Sequence, residues 1–192
     1  PFDTPARTLQ FSDDGEKIAM GFSYNRPSDR AVAVRTYATR DLRPVGEDIL
    51  VQNLTRDIFG TGEPWIAVTW KAGEPCLLNA VDPGSGSKPR ASRPLLGLPR
   101  MEWLPRPQAL AVRRSVENIY DLYNPQTLEI EEKEVVNYPS GTPIEFCAQG
   151  RYVVAAGIDF FDVRDLQTGE VRHPLVRTSN RILRMDLNEV AS

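Results

Sequence analysis

The chain holds a single histidine, His173, and two cysteines, Cys76 and Cys147. Hydrolysis by a Ser-His-Asp arrangement would have to use His173, and no Gly-x-Ser-x-Gly turn is present to carry the serine. His173 therefore reads as a surface or rim residue. Neither cysteine sits in a Cys-x-x-Cys pair, so a zinc site or a disulfide framework is not expected, and both read as small core residues on strands. The loop Asp82-Pro83-Gly84-Ser85-Gly86-Ser87-Lys88-Pro89 is glycine-rich but lacks the Gly-Lys-Ser/Thr ending of a phosphate-binding loop. It reads as a turn between strands. Asp13 and Asp14 read as turn formers rather than paired catalytic carboxylates. The run Glu129-Ile130-Glu131-Glu132-Lys133-Glu134 places charge along a strand, where it discourages edge-to-edge pairing of sheets. No catalytic residue, cofactor or metal is expected.

Composition narrows the class further. The 192 residues are 41% hydrophobic and 26% charged, enough to bury a core and too polar for a membrane protein. The net charge of -3 argues against nucleic acid or anionic lipid as the main partner. Of the 23 basic residues only Lys17, Lys71, Lys88 and Lys133 are lysines. Arginine is favoured at protein contacts because its planar fork pairs with carboxylates and stacks on rings. A GC-rich genome gives the same bias. The lack of paired cysteines fits an intracellular, reducing compartment.

The elements that position these residues repeat. The segment 144–157 reads as a short strand, a tight turn at Gln149-Gly150 and a second strand, and 160–171 adds a third strand, a turn ending Thr168-Gly169 and the start of a fourth. The same grammar opens the chain, with Leu9 and Phe11 alternating, a turn at Asp14-Gly15, then Ile18-Ala19-Met20 and Ala31 to Tyr37. Two further copies run from Ile58 to Pro83 and from Met101 to Thr127. One landmark, at the end of each third strand, falls at Ala38, Asp82, Asn124 and Asp165, with spacings of 44, 42 and 41. A second, the aromatic before the first turn, falls at Phe11, Phe59, Trp103 and Phe146.

Phe11-Ser12-Asp13-Asp14-Gly15 and Val163-Arg164-Asp165-Leu166-Gln167-Thr168-Gly169 resemble the opening and closing halves of a WD40 repeat, whose period is about 40–45 residues. Asp13 stands where proline is usual and Arg164 where tryptophan is usual; no repeat has a Trp-Asp pair and no Gly-His dipeptide is present. The resemblance implies an all-β fold, a β-propeller of four blades, each a four-stranded antiparallel sheet. Blades are expected near 6–50, 51–97, 98–140 and 141–178, with 179–192 starting a further blade or closing the ring, and the set is expected to be a segment of a larger propeller.

In that architecture the second-to-third-strand and fourth-to-first-strand loops gather at one end. Tyr24, Arg26, Arg30, Trp70, Lys71, Arg113 and Arg114 fall there, and arginine with aromatic residues is the composition of an interaction hot spot. An ordinary solvated rim is the plain alternative. The expectation is a non-catalytic scaffold that docks protein partners inside a larger intracellular protein. The second reading is the propeller domain of an enzyme whose catalytic domain lies elsewhere.

Overall fold

The computed structural model describes residues 6–173 except 13, 24–30, 53, 61–63, 71–72, 83–87, 98, 115–116 and 158–159. Of the residues expected to bind a partner, Tyr24, Arg26, Arg30 and Lys71 lie outside this set, as does the stretch 179–192. The described residues form four antiparallel sheets of four strands, each in simple sequence order. The first holds β1 (Ala6–Phe11), β2 (Lys17–Ser23), β3 (Ala31–Ala38) and β4 (Pro44–Gln52), and the second β5 (Leu54–Gly60), β6 (Trp65–Trp70), β7 (Cys76–Val81) and β8 (Ala91–Leu95). The third holds β9 (Met101–Leu104), β10 (Ala109–Arg113), β11 (Asn118–Tyr123) and β12 (Ile130–Tyr138), and the fourth β13 (Ile144–Cys147), β14 (Tyr152–Ala156), β15 (Phe161–Asp165) and β16 (Val171–His173).

The chain divides into two compact units, residues 1–99 with 124–129, and residues 100–123 with 130–192. The core of the first is built on Ala19, Val34, Ile49, Ile58, Trp65, Ala67 and Val81. That of the second includes Leu104, Ala111, Tyr120, Leu122, Val136, Ile144 and Ala155. The middle strands β6, β10 and β14 are apolar almost throughout because both their faces are covered. Cys76, the first residue of β7, is buried, and Cys147, the last of β13, is half-buried; the two are not joined in a disulfide.

One turn recurs three times. In Ala38–Arg43, Asn124–Glu129 and Asp165–Glu170 the first residue's amide donates to the sixth carbonyl, and the fifth amide donates to the first carbonyl. Side chains close the loop: Asn124 Oδ1 accepts the Gln126 amide at 2.7 Å, and Asp165 Oδ1 accepts the Gln167 amide at 2.9 Å. The fifth position is left-handed in each, at Leu42 (φ 54), Leu128 (φ 59) and Gly169 (φ 72). At the first hairpin Asp14 acts as a turn former, accepting hydrogen bonds from the Ser12 hydroxyl and the Glu16 amide.

The register corrects one landmark. Tyr37, Ala80, Tyr123 and Arg164 stand opposite Ile18, Ile66, Leu110 and Val153, so the residues that follow them are equivalent: Ala38, Val81, Asn124 and Asp165. Val81, not Asp82, is the second member. Three residues earlier, the third strands carry Arg35, Leu78, Asp121 and Asp162. Arg35 is bidentate to Asp48 and Leu78 is fully buried. Asp121 takes Arg114, and Asp162 takes the Tyr138 hydroxyl.

Candidate functional site

The second unit builds its loop end from the sheet outward. Arg113 closes β10, and the Arg114 amide donates to the Ile119 carbonyl at 2.8 Å, so the β10–β11 connection turns back tightly. Arg114 then reaches into the sheet. Its Nε donates to Asp121 Oδ2 and its Nη2 to Asp121 Oδ1, both at 2.8 Å, while Nη1 donates to Glu134 Oε1 at 2.8 Å. The Glu134 amide donates to the same Asp121 Oδ1 at 2.9 Å, where β12 bulges and Glu134 takes a positive φ of 57°. Burial pushes the Asp121 carboxyl up, but the hydrogen bonds from Arg114 and the Glu134 amide outweigh it and hold it below its ordinary value. The Asp121 hydrogen bond, with that of Glu134, raises Arg114 in turn.

Asn118 fastens the neighbouring connection. Its Nδ2 donates to the carbonyls of Pro139 and Thr142, each at 2.9 Å, and its Oδ1 accepts a long contact from Arg113 Nη1 at 3.4 Å. The start of β11 and the connection after β12 are thereby tied together at one end of the third sheet. Tyr138, the last residue of β12, stacks on Phe160 with ring centroids 6.1 Å apart, and the Arg164 guanidinium lies 5.7 Å from the Tyr138 centroid. Burial, with the hydrogen bond to Asp162, drives the Tyr138 phenol above its usual range.

Along the first strands of the third and fourth sheets a charged row forms. Glu102 and Glu145 occupy the same register position, one residue before Trp103 and Phe146, and Arg100 Nη2 stands 3.8 Å from a carboxylate oxygen of each. Burial raises the Glu102 carboxyl, Arg100 opposes this and Glu145 adds to it. Tyr120 lies beneath, edge-on to Phe146 at 5.3 Å.

Among the expected partner-binding residues the structure places Arg113 and Arg114 in succession at the end of β10, Arg113 on Asn118 and Arg114 on Asp121 and Glu134. Arg114 is not a free surface fork, because its guanidinium is committed to Asp121 and Glu134. Trp70 ends β6 in the first unit and is half-buried. Residues absent from the expected set do much of the positioning: Asn118, Asp121 and Glu134. Among the described residues no group of three His, Cys, Asp or Glu side chains is arranged to hold a metal ion. Among them, too, no helix is long and apolar enough to cross a membrane.

No family model and no curated protein matches the chain. Solved structures do. The chain is similar to dihydro-heme d1 dehydrogenase NirN in complex with DHE, with a TM-score of 0.50 and 17% identity over 90% of this chain and 37% of that one. It is also similar to a putative dipeptidyl aminopeptidase IV from Bacteroides ovatus, with a TM-score of 0.57 and 12% identity over 92% of this chain and 29% of that one. The fold is that of a β-propeller. Each four-stranded sheet is one blade. The chain spans roughly a third of the length of the structures it matches.

Proposed function

We propose that this chain is a non-catalytic protein-interaction module of WD40-like type within a larger intracellular protein. The observation that carries the reading is that Asn118, at the start of β11, fastens the connection after β12, next to the Arg114 fork. A connection held in one arrangement loses little conformational freedom on binding, and that is what a docking surface requires. The face displayed there includes Glu117, Pro139 and Ser140, with half-buried Arg113 beside them. Arg26, Arg30 and the other expected loop residues extend the same proposal to the first two blades.

Affinity capture with the wild-type chain and with Arg113→Ala and Glu117→Arg, run in parallel, tests the reading. Specific partners are those lost by both variants while the thermal melt stays unchanged. Capture that neither substitution alters overturns it.

A second reading is favoured by the names of the similar structures, a dehydrogenase and an aminopeptidase, and by the small share of each that the chain spans. In it the chain is the propeller domain of an enzyme, with the catalytic domain elsewhere on the same polypeptide. Loop-end substitutions would then change the turnover of that domain rather than the recovery of a separate partner.

A further inference from the structure

At the hairpin-turn end of the second unit, away from the fastened connection, lies a pocket of about 520 Å³. Arg106, Leu122, Glu132, Arg151, Leu166 and Gln167 supply its working surfaces. Its shape depends on a close backbone approach. Gly150 has a φ of +91°, and a Cβ there would stand 2.6 Å from Leu104 Cβ and 2.9 Å from the Arg106 carbonyl oxygen. With no side chain in the way, the Arg106 amide donates to the Gln149 carbonyl at 2.8 Å. Arg106 and Arg151 are thereby carried to the same rim.

Arg151 is held in a fixed pose. Its Nε donates to the buried Asp165 at 3.2 Å, its guanidinium carbon lies 5.1 Å from the Tyr152 ring centroid, and its carbonyl accepts the Leu166 amide at 2.8 Å. Leu122, buried in β11, and half-buried Leu166 give the pocket an apolar floor. Glu132 stands opposite Leu122 in the sheet register. The lining therefore carries two cations, one anion and a hydrocarbon surface.

We propose that this pocket docks an extended peptide segment of a partner chain in which an acidic side chain neighbours an apolar one. The carboxylate lies between the fork of Arg106 and the two terminal nitrogens of Arg151, whose Nε is taken by Asp165. The apolar neighbour covers Leu122 and Leu166. Glu132 and Gln167 accept peptide N–H groups from the bound segment. Glu132 also disfavours a doubly charged phosphate, because it adds a like charge beside the two arginines. This site is separate from the loop end, so either proposal can stand alone.

The test is fluorescence anisotropy of the whole chain with a fluorescein-labelled Gly-Ser-Asp-Leu-Ser-Gly peptide. The expected result is a saturable rise that weakens about tenfold when the peptide's Asp is replaced by Asn, and about tenfold again on Arg106→Ala in the protein. Arg106 has an exposed side chain, so its removal leaves the fold intact, and the thermal melt checks this. Glu132→Gln is expected to tighten binding by about twofold, and Arg113→Ala at the loop end to leave it unchanged. Equal affinity for the Asn peptide, indifference to Arg106→Ala, no saturable binding, or displacement by inorganic phosphate as readily as by unlabelled peptide overturns the proposal.

Discussion

Arg114 grips Asp121 through two parallel hydrogen bonds of 2.8 Å, and the same carboxylate also takes the amide of Glu134 from the neighbouring strand. A residue whose position marks it as a surface contact is therefore a fastening of the third blade. Arg114→Ala is expected to lower stability by about 2 kcal/mol in urea denaturation, because it leaves a buried carboxylate without its cation. The figure sits below that for a fully enclosed pair since Arg114 is 36% exposed. Asp121→Asn should cost a similar amount, and the double substitution clearly less than the two losses combined.

The acid limb of stability follows from two carboxyls. Asp121 and Asp165 both lie below the ordinary value of 3.8 in the folded chain. For Asp165 burial pushes upward, and the Gln167 amide and Arg151 hydrogen bonds overcome it. The unfolded chain takes up these protons first, so their contribution is full above about pH 5 and is lost as pH falls through 3.8 toward the folded values. Glu102 has the opposite sign, since its carboxyl is raised above 4.5. Its contribution is full below 4.5 and is lost as pH rises through the folded value. Glu102→Gln should raise the urea midpoint at pH 7 and give no gain at pH 4, whereas Asp121→Asn should flatten the fall below pH 5.

Leu42 and Leu128 share one turn geometry with different surroundings. Both have a left-handed backbone, which costs a non-glycine residue about 1 kcal/mol. Leu42 is 60% exposed and Leu128 1%. Leu42→Gly should therefore raise the melting temperature, with a gain of about 1 kcal/mol. Leu128→Gly relieves the same backbone strain but empties a core position, and a net loss of about 2–4 kcal/mol is expected. Equal responses from the two would show that burial does not separate them.

Gly150→Ala meets the Leu104 side chain and the Arg106 carbonyl at distances that real contacts do not reach. A loss of about 2–3 kcal/mol is expected, with the Arg106 turn pushed away from Arg151. Gly15→Ala is the control. It also has a positive φ but open space around it, so only the backbone cost of about 1 kcal/mol applies.

Much of this architecture was legible in the sequence. The aromatics Phe11, Phe59, Trp103 and Phe146 lie in the first strands, and the Gly15 and Gly169 turns have the backbone their residue types require. Both signals are local, so a single strand-turn-strand unit displays them. The third-strand landmark of the second blade was misplaced by one residue, because a long connection after Val81 replaces the tight turn and removes its punctuation. The side-chain network was not legible. Asp121 is seven residues beyond Arg114, and Glu134 is twenty beyond it on another strand. Nothing in an Arg113-Arg114 pair announces that Arg114 reaches two carboxylates while Arg113 turns to Asn118. Gly150 carried a turn signal, but its close approach to Leu104 depends on packing between blades and leaves no trace at a fixed spacing.

Repeats built to one plan are at risk of shuffling, since any strand could be accepted by a sister repeat. The third-strand position occupied by Arg35, Leu78, Asp121 and Asp162 works against this. Exchange of third strands among the first three blades would strand a charge against hydrocarbon, or set two charges of the same sign together, and each arrangement is costly. Arg35 finds its carboxylate in Asp48 of its own blade, and Asp121 its guanidinium in Arg114 of its own. Among the first three blades the position is therefore an address that favours each strand's own sheet; Asp121 and Asp162 share one.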